Sequence, residues 1–201
     1  MIVFPAMPVR NPCVGIVYHR KVFSAEDCAR IVASATSDRW EEGQVGGHQG
    51  KGTFSLQPTT RSCRQQRLPI EPTGYPIDRI TADICQANST GWQFQLSGFV
   101  GDDMPWIMRY DEQGRGHYDW HIDLGQGATA SRKLGFSLQL TDGNAYDGGD
   151  LELHNANVEA AALREIGTLI VFPSYWLHRV APVTRGSRLV VVGWVHGPSF
   201  R

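Results

Sequence analysis

The chain has 201 residues, enough for one sizeable domain and short for two. It is 41% hydrophobic and 19% charged, with a formal net charge of -1, which suits a soluble globular protein with a full core. That balance holds no basic excess to neutralise phosphates, so charge argues against a nucleic-acid partner. No segment approaches the roughly 18 apolar residues of a membrane span, so no membrane partner is expected either.

The opening stretch, MIVFPAMPVRNPCVGIVYHRK, is apolar but broken by Pro5, Pro8 and Pro12. It has neither a basic start nor a continuous apolar run, so it does not read as a signal peptide, and a cytoplasmic location is expected. Cys13, Cys28, Cys63 and Cys85 all precede residue 86 and none has a CxxC partner. They read as reduced, mostly packed thiols, although spacing alone leaves a disulfide between two of them open.

Ser24 is placed to N-cap a helix in SAEDCARIVASATSD, with Glu26 and Asp27 in its first turn. Cys28, Ile31, Val32 and Ala35 follow at helical spacing. A second helix is expected from Pro76 at N1 through IDRITADICQAN, burying Ile77, Ile80 and Ile84. Between the helices, residues 44–67 are rich in Gly, polar and basic residues without a clear period. A loop of that length is functional or a surface excursion, and a lid is one reading. Its basic end (Arg61, Arg64, Arg67) suggests an acidic or carboxylate-bearing substrate, with Arg61 the first residue to test.

From Trp92 the texture changes to short strands: WQFQLSGF, MPWIMRYD, HYDWHID, KLGFSLQLT, LELHN, GTLIVFPS, HRVAPV and SRLVVVGWVHG. Turn signals separate them at Asp142-Gly143-Asn144, Asp147-Gly148-Gly149 and Arg185-Gly186-Ser187. The pattern predicts a mainly β sandwich or jelly roll with supporting N-terminal helices. One domain spans 1–201, with helical support and a lid loop over 1–91 and the jelly-roll core over 92–201.

The chemistry lies in that core. His121 and Asp123 are two apart, and on extended chain such residues share a face. His178 arrives from a later strand, and Arg188 follows ten residues on. Two imidazoles and a carboxylate form the 2-His-1-carboxylate set of non-heme Fe(II) sites, and the same ligands can also hold zinc for hydrolysis. Alternation puts Arg188, Val190, Val192 and Trp194 on one face. An arginine on an apolar inward face needs an anion, and no acidic neighbour in sequence offers one. The far carboxylate of a 2-oxo acid would, which favours iron. A metal-dependent hydrolase and a non-catalytic metal-binding jelly-roll module remain alternatives. His117, His154 and His196 stand outside the metal set, with surface polar roles expected for His154 and His196.

These residues resemble a known family. RYDEQGRGHYDWHIDLG is similar to the signature of the 2-oxoglutarate- and Fe(II)-dependent oxygenases of the prolyl 4-hydroxylase type, in the small bacterial and phage branch called prolyl/lysyl-hydroxylase-like. RKLGFSLQLTD, YDGGDLELH and GTLIVFPSYWLHRVAPVTRGSRLVVVGWVHGPSF continue the likeness over roughly residues 92–200. The resemblance implies a double-stranded β-helix, cupin-like. It implies Fe(II) on His121, Asp123 and His178, with 2-oxoglutarate and O2 as co-substrates and ascorbate as a reductant. It implies Arg188 on the distal carboxylate, Tyr110 as a hydrogen-bond donor to the co-substrate, and Gln139 where relatives often carry a co-substrate tyrosine. Trp194 would line the pocket, and Arg132 would lie at the mouth near the substrate. With Asp123 present, hydroxylation is favoured over halogenation. The implied reaction is hydroxylation of an unactivated C–H, of a prolyl residue in a peptide or of a free amino acid.

Overall fold

The computed structural model describes residues 15–46, 54–101 and 103–200. β1 (Val17–His19) leads into α1 (Ala25–Ala33), then β2 (Glu41–Glu42), β3 (Val45–Gly46), β4 (Phe54–Ser55), β5 (Arg61–Ser62) and β6 (Arg64–Arg67). After α2 (Ile77–Thr90) come β7 (Trp106–Asp111), β8 (His117–His121), β9 (Arg132–Gln139), β10 (Asp147–Gly148) and β11 (Leu151–Leu153). α3 (Ala160–Arg164) precedes β12 (Leu169–Pro173), β13 (His178–Val180), β14 (Val183–Arg185) and β15 (Ser187–His196).

Two antiparallel sheets face each other. The larger has the order β1-β12-β9-β15-β7-β6-β2, and the smaller β11-β13-β8-β5. This is the jelly roll that the strand pattern predicts. Alternation along β15 sorts the larger sheet into two faces. Leu189, Val191 and Val195 join Ile31, Ile80, Ile84, Leu134 and Leu138 under α1 and α2. Val190 and Val192 turn inward to Met108, Tyr110, Val180 and Val183. The helices therefore seal the outside of the large sheet and leave its inner face for chemistry.

α1 begins where its capping box dictates. The Ser24 hydroxyl accepts from the Asp27 amide, and the Asp27 carboxylate accepts from the Ser24 amide. α2 begins at Ile77, with Pro76 preceding it as the cap residue.

Three expectations change. WQFQLSGF forms no strand beyond a single bridge between Gly98 and His196. There the Asn88 side chain binds both the amide and the carbonyl of Phe94, replacing a ladder. The second part of the 44–67 loop is sheet, while residues 47–53 lie outside the described residues. β5 pairs with β8 and β6 with β7, partners supplied by the tertiary fold and not by local alternation. The division near residue 92 fails for the same reason, since β1, β2, β5 and β6 complete both sheets. Cys28, Cys63 and Cys85 are free thiols, and Cys13 lies outside the described residues. Among the described residues no helix is long and apolar enough to cross a membrane.

The helix-covered face carries the stability. Leu138 is fully buried there, and Leu138→Ala should lower stability by about 2–5 kcal/mol, against about 1 kcal/mol for the cap change Ser24→Ala. Urea midpoints of the two variants check the ranking.

Candidate metal centre

Strand register brings the three ligands together. β13 lies antiparallel to β8, with His178 directly opposite His121 and Val180 opposite Tyr118. Two steps on β13 thus face three on β8, so β8 is bulged. The extra residue puts Tyr118 and His121 on the same inner face, where their rings stack at 3.5 Å. Asp123 follows β8, its amide bonded to the Ser174 carbonyl.

The donor atoms of His121, Asp123 and His178 all lie within 4.8 Å of one another. Nε2 of His121 is 3.7 Å from Asp123 Oδ1, and Nε2 of His178 is 3.7 Å from Asp123 Oδ2. Nδ1 of His121 faces the Asp119 carbonyl at 2.7 Å, and Nδ1 of His178 the Trp176 carbonyl at 2.8 Å. A carbonyl only accepts, so each Nδ1 carries the proton and each Nε2 presents a lone pair to the centre. Burial, and then the neighbouring His178, push His121 from its usual 6.5 down to about 4, keeping it neutral near pH 7. Two neutral imidazole nitrogens and a carboxylate converging this way fit a divalent first-row metal.

Gly135 sits beneath the carboxylate. A Cβ there would lie 2.8 Å from Asp123 Oδ2 and 2.9 Å from the Phe172 ring. A glycine inside the otherwise bulky KLGFSLQ run was the signal for it.

Arg188 lies on the inner face at 2% exposure and makes no ion pair among the described residues. Its Nε donates to Gln139 Oε1 at 3.2 Å, and its Nη1 has no hydrogen-bond partner among the described residues. The Gln139 amide nitrogen is committed to the Thr141 carbonyl and the Tyr146 hydroxyl, both at 2.9 Å. Gln139 thus orients Arg188, and neither end of its amide is left for a co-substrate. Tyr146 was missed in the sequence, although YDGGD holds it just before the glycine turn. Gly149 makes room beside it: a Cβ there would crowd Val183, Tyr146 and the Arg188 side chain. A cavity of about 410 Å³ between β11 and α3 reaches Arg188 past Tyr146, Leu151 and Leu153, and the three metal ligands are not part of its wall.

Tyr110 is buried beside Arg188, whose Cζ is 5.9 Å from its ring centroid. Burial raises its phenol well above the usual value, so it stays a donor, and its hydroxyl meets no partner among the described residues. Arg132 is held in the wall and is not free at the mouth. It forms a bidentate pair with Asp103 at 2.7 Å, donates to the Asp123 carbonyl at 3.2 Å and stacks on Trp194 at 3.6 Å. Trp194 is thereby the platform for Arg132. His196 is buried, not on the surface, between Asp103 and Ser131. His154 is exposed, as expected. Arg61 is buried on β5 behind Tyr118, not displayed on a lid.

One segment of the chain matches a known family. Residues 105–196 match the model of the 2OG-Fe(II) oxygenase superfamily. The match spans β7 to β15 and includes the triad and Arg188. A PKHD-type hydroxylase of Gloeothece citriformis is 45% identical over 80 residues, 39% of this chain and 36% of that protein. One from Idiomarina loihiensis is 35% identical over 99 residues, 47% of this chain and 44% of that protein. The aligned part thus spans less than half the length of these relatives. Among solved structures, a Pseudomonas putida prolyl-4-hydroxylase superposes with a TM-score of 0.63 at 22% identity, covering 90% of this chain and 92% of that one. The viral collagen prolyl hydroxylase of Paramecium Bursaria Chlorella virus-1, in its 2OG complex, gives 0.62 at 16%, covering 92% and 97%. These likenesses establish the jelly-roll fold. The chain resembles oxygenases of the prolyl 4-hydroxylase type in both sequence and fold.

Two outcomes follow for the centre. Gly135→Ala should weaken Co(II) binding by roughly 10- to 100-fold by displacing Asp123, read from the cobalt absorption. In metal-free protein the folded state resists protonation of His121 down to about pH 4, whereas the unfolded chain takes that proton near 6.5. Stability should therefore be flat above pH 6.5 and fall between 6.5 and 4, by on the order of 3 kcal/mol from this group. Urea midpoints across that range, with His121→Gln as the flattened control, check the sign.

Proposed function

We propose that the protein is a 2-oxoglutarate- and Fe(II)-dependent dioxygenase that hydroxylates an unactivated C–H of a prolyl residue or an amino acid. The observation that carries the proposal is the orphaned Nη1 of the buried Arg188 on the inner face shared with the His/Asp/His cluster. A metal site for hydrolysis needs a water and a base and gives this cation nothing to do. A dicarboxylate held at one end by the metal answers it at the other.

When bound, iron with 2-oxoglutarate and O2 supplies the oxidant, the co-substrate leaving as succinate and CO2. The protein's own residues do the rest. His121, Asp123 and His178 would hold three positions on one side of the metal and leave the others open. Arg188, aimed by Gln139, takes the distal carboxylate, with the Tyr110 hydroxyl as an additional donor. Met108, Val180, Val183 and Val190 line the interior with apolar surface and keep water from the reacting centre. Arg132, tied to Asp103, fixes the Asp123 backbone by its carbonyl and acts as a positioning residue.

The test is an anaerobic titration of Fe(II)-loaded protein with 2-oxoglutarate, following the weak visible charge-transfer band of the chelated 2-oxo acid. Wild type should develop the band, and Arg188→Gln should need at least about 30-fold more 2-oxoglutarate, as expected for removal of a buried charge partner. Stoichiometric iron without a band would overturn the proposal and favour hydrolysis or simple metal binding.

A further inference from the structure

Three arginines are buried among the described residues: Arg61, Arg132 and Arg188. Arg132 has its carboxylate in Asp103. Arg188 awaits the co-substrate. Arg61, 9% exposed, forms no ion pair among the described residues. Among the described residues its guanidinium is steadied by neutral groups: the Gln44 carbonyl at 2.8 Å, Gln65 Oε1 at 3.2 Å, and the sulfurs of Cys63 and Met108 at 3.1 and 3.3 Å. Sulfur is a weak acceptor, so these contacts position the fork without neutralising it. Burial raises the Cys63 thiol despite the arginine beside it, so Cys63 does not supply the anion.

The placement is telling. The Arg61 guanidinium lies 4.7 Å from the centroid of Tyr118, whose ring stacks at 3.5 Å on His121. The Tyr118 hydroxyl, an ordinary phenol donor, makes no hydrogen bond among the described residues. A cation and a free phenol donor therefore stand one ring away from a metal ligand, on the inner side of the small sheet. Charge balance points the same way. With a divalent ion and a dianionic co-substrate bound, Asp123, Arg188 and Arg61 leave one positive charge uncompensated. A single carboxylate on the substrate would neutralise it.

We infer that Arg61 is a second anion anchor, with Tyr118 as its partner donor, and that the substrate carries its own free carboxylate, as an amino acid or a C-terminal residue does. This narrows the oxygenase reading above and rests on it. A prolyl residue inside a peptide has no carboxylate of its own to offer, so the inference favours free amino acids or chain ends over internal prolyl residues.

The test uses whole protein loaded with Mn(II) in place of iron, so that no turnover occurs. Calorimetry first measures 2-oxoglutarate binding. The loaded protein is then titrated with the common L-amino acids and their N-acetyl derivatives, each as the free acid and as the primary amide. At least one acid should bind ~30-fold or more tighter than its amide, the size expected for one buried charge partner. Arg61→Gln should remove that difference, Arg61→Lys should restore part of it, and 2-oxoglutarate affinity should stay within about 3-fold in both, unlike in Arg188→Gln. The acid–amide comparison in wild type needs no variant, so a misfolded Arg61→Gln leaves it intact. Equal binding of acid and amide, or no acid bound, overturns the inference while leaving the oxygenase reading standing. Loss of 2-oxoglutarate affinity in Arg61→Gln overturns it too, by making Arg61 a co-substrate group. Absence of 2-oxoglutarate binding in wild type overturns the oxygenase reading itself, and this inference with it.

Discussion

A guanidinium held at 2% exposure with no counter-charge among the described residues is the constraint around which the interior is arranged. Taking such a group out of water costs several kcal/mol unless an anion and hydrogen bonds answer it. The protein supplies one of these hydrogen bonds and withholds the anion. Gln139 gives its oxygen to Arg188 and turns its two amide hydrogens the other way, to Thr141 and Tyr146. A carboxylate at Gln139 would have neutralised the cation and closed the site. An amide aims it without neutralising it, which is what the proposed role of Arg188 requires.

The opposite solution stands at the other end of the same strand pair, where Arg132 lies opposite His196. Arg132 has its carboxylate, an aromatic platform and a backbone carbonyl to hold. The carbonyl belongs to Asp123, so the paired arginine is part of the frame of the metal centre. The bulge in β8 does the matching work on the histidine side. Without the extra residue, Tyr118 and His121 would face opposite sides of the sheet. With it, one ring stacks on the other, and His121 meets His178 across the strand pair. The ligand geometry is thus written into strand register and one irregularity, both held by backbone hydrogen bonds.

The sequence disclosed the chemistry better than the architecture around it. HYDWHID, the later His178 and the inward alternation of SRLVVVGWV were legible because each depends on local period and residue type. The expected strands from MPWIMRYD onward appear for the same reason. WQFQLSGF misled because its apolar residues pack on the helices while its backbone is bonded by the Asn88 side chain, which no period reveals. β5 and β6 were hidden for the converse reason. Arg61, Gln65 and Gln66 look like loop residues, yet strands brought from residues 106–121 pair with them and bury them. Gln139 and Arg132 were singled out in the sequence without the partners that engage them, Tyr146 and Asp103, because those contacts are fixed only by tertiary structure.

The division of labour between the two faces of the large sheet explains how the fold tolerates such an interior. Its outer face, under α1 and α2, is filled by Ile31, Ile80, Ile84, Leu134, Leu138 and Val191 with almost no exposure. That layer contributes hydrophobic stabilisation independent of any ligand. The inner face carries Arg188 and Arg61, which form no ion pair among the described residues, and two imidazoles with lone pairs turned toward the Asp123 carboxylate. On the proposed function a metal and an anion would answer these groups, so binding energy and folding stability would be linked through them. A fold with one sealed core can leave polar groups on the other side of the same sheet, and the proposed function places its ligands there.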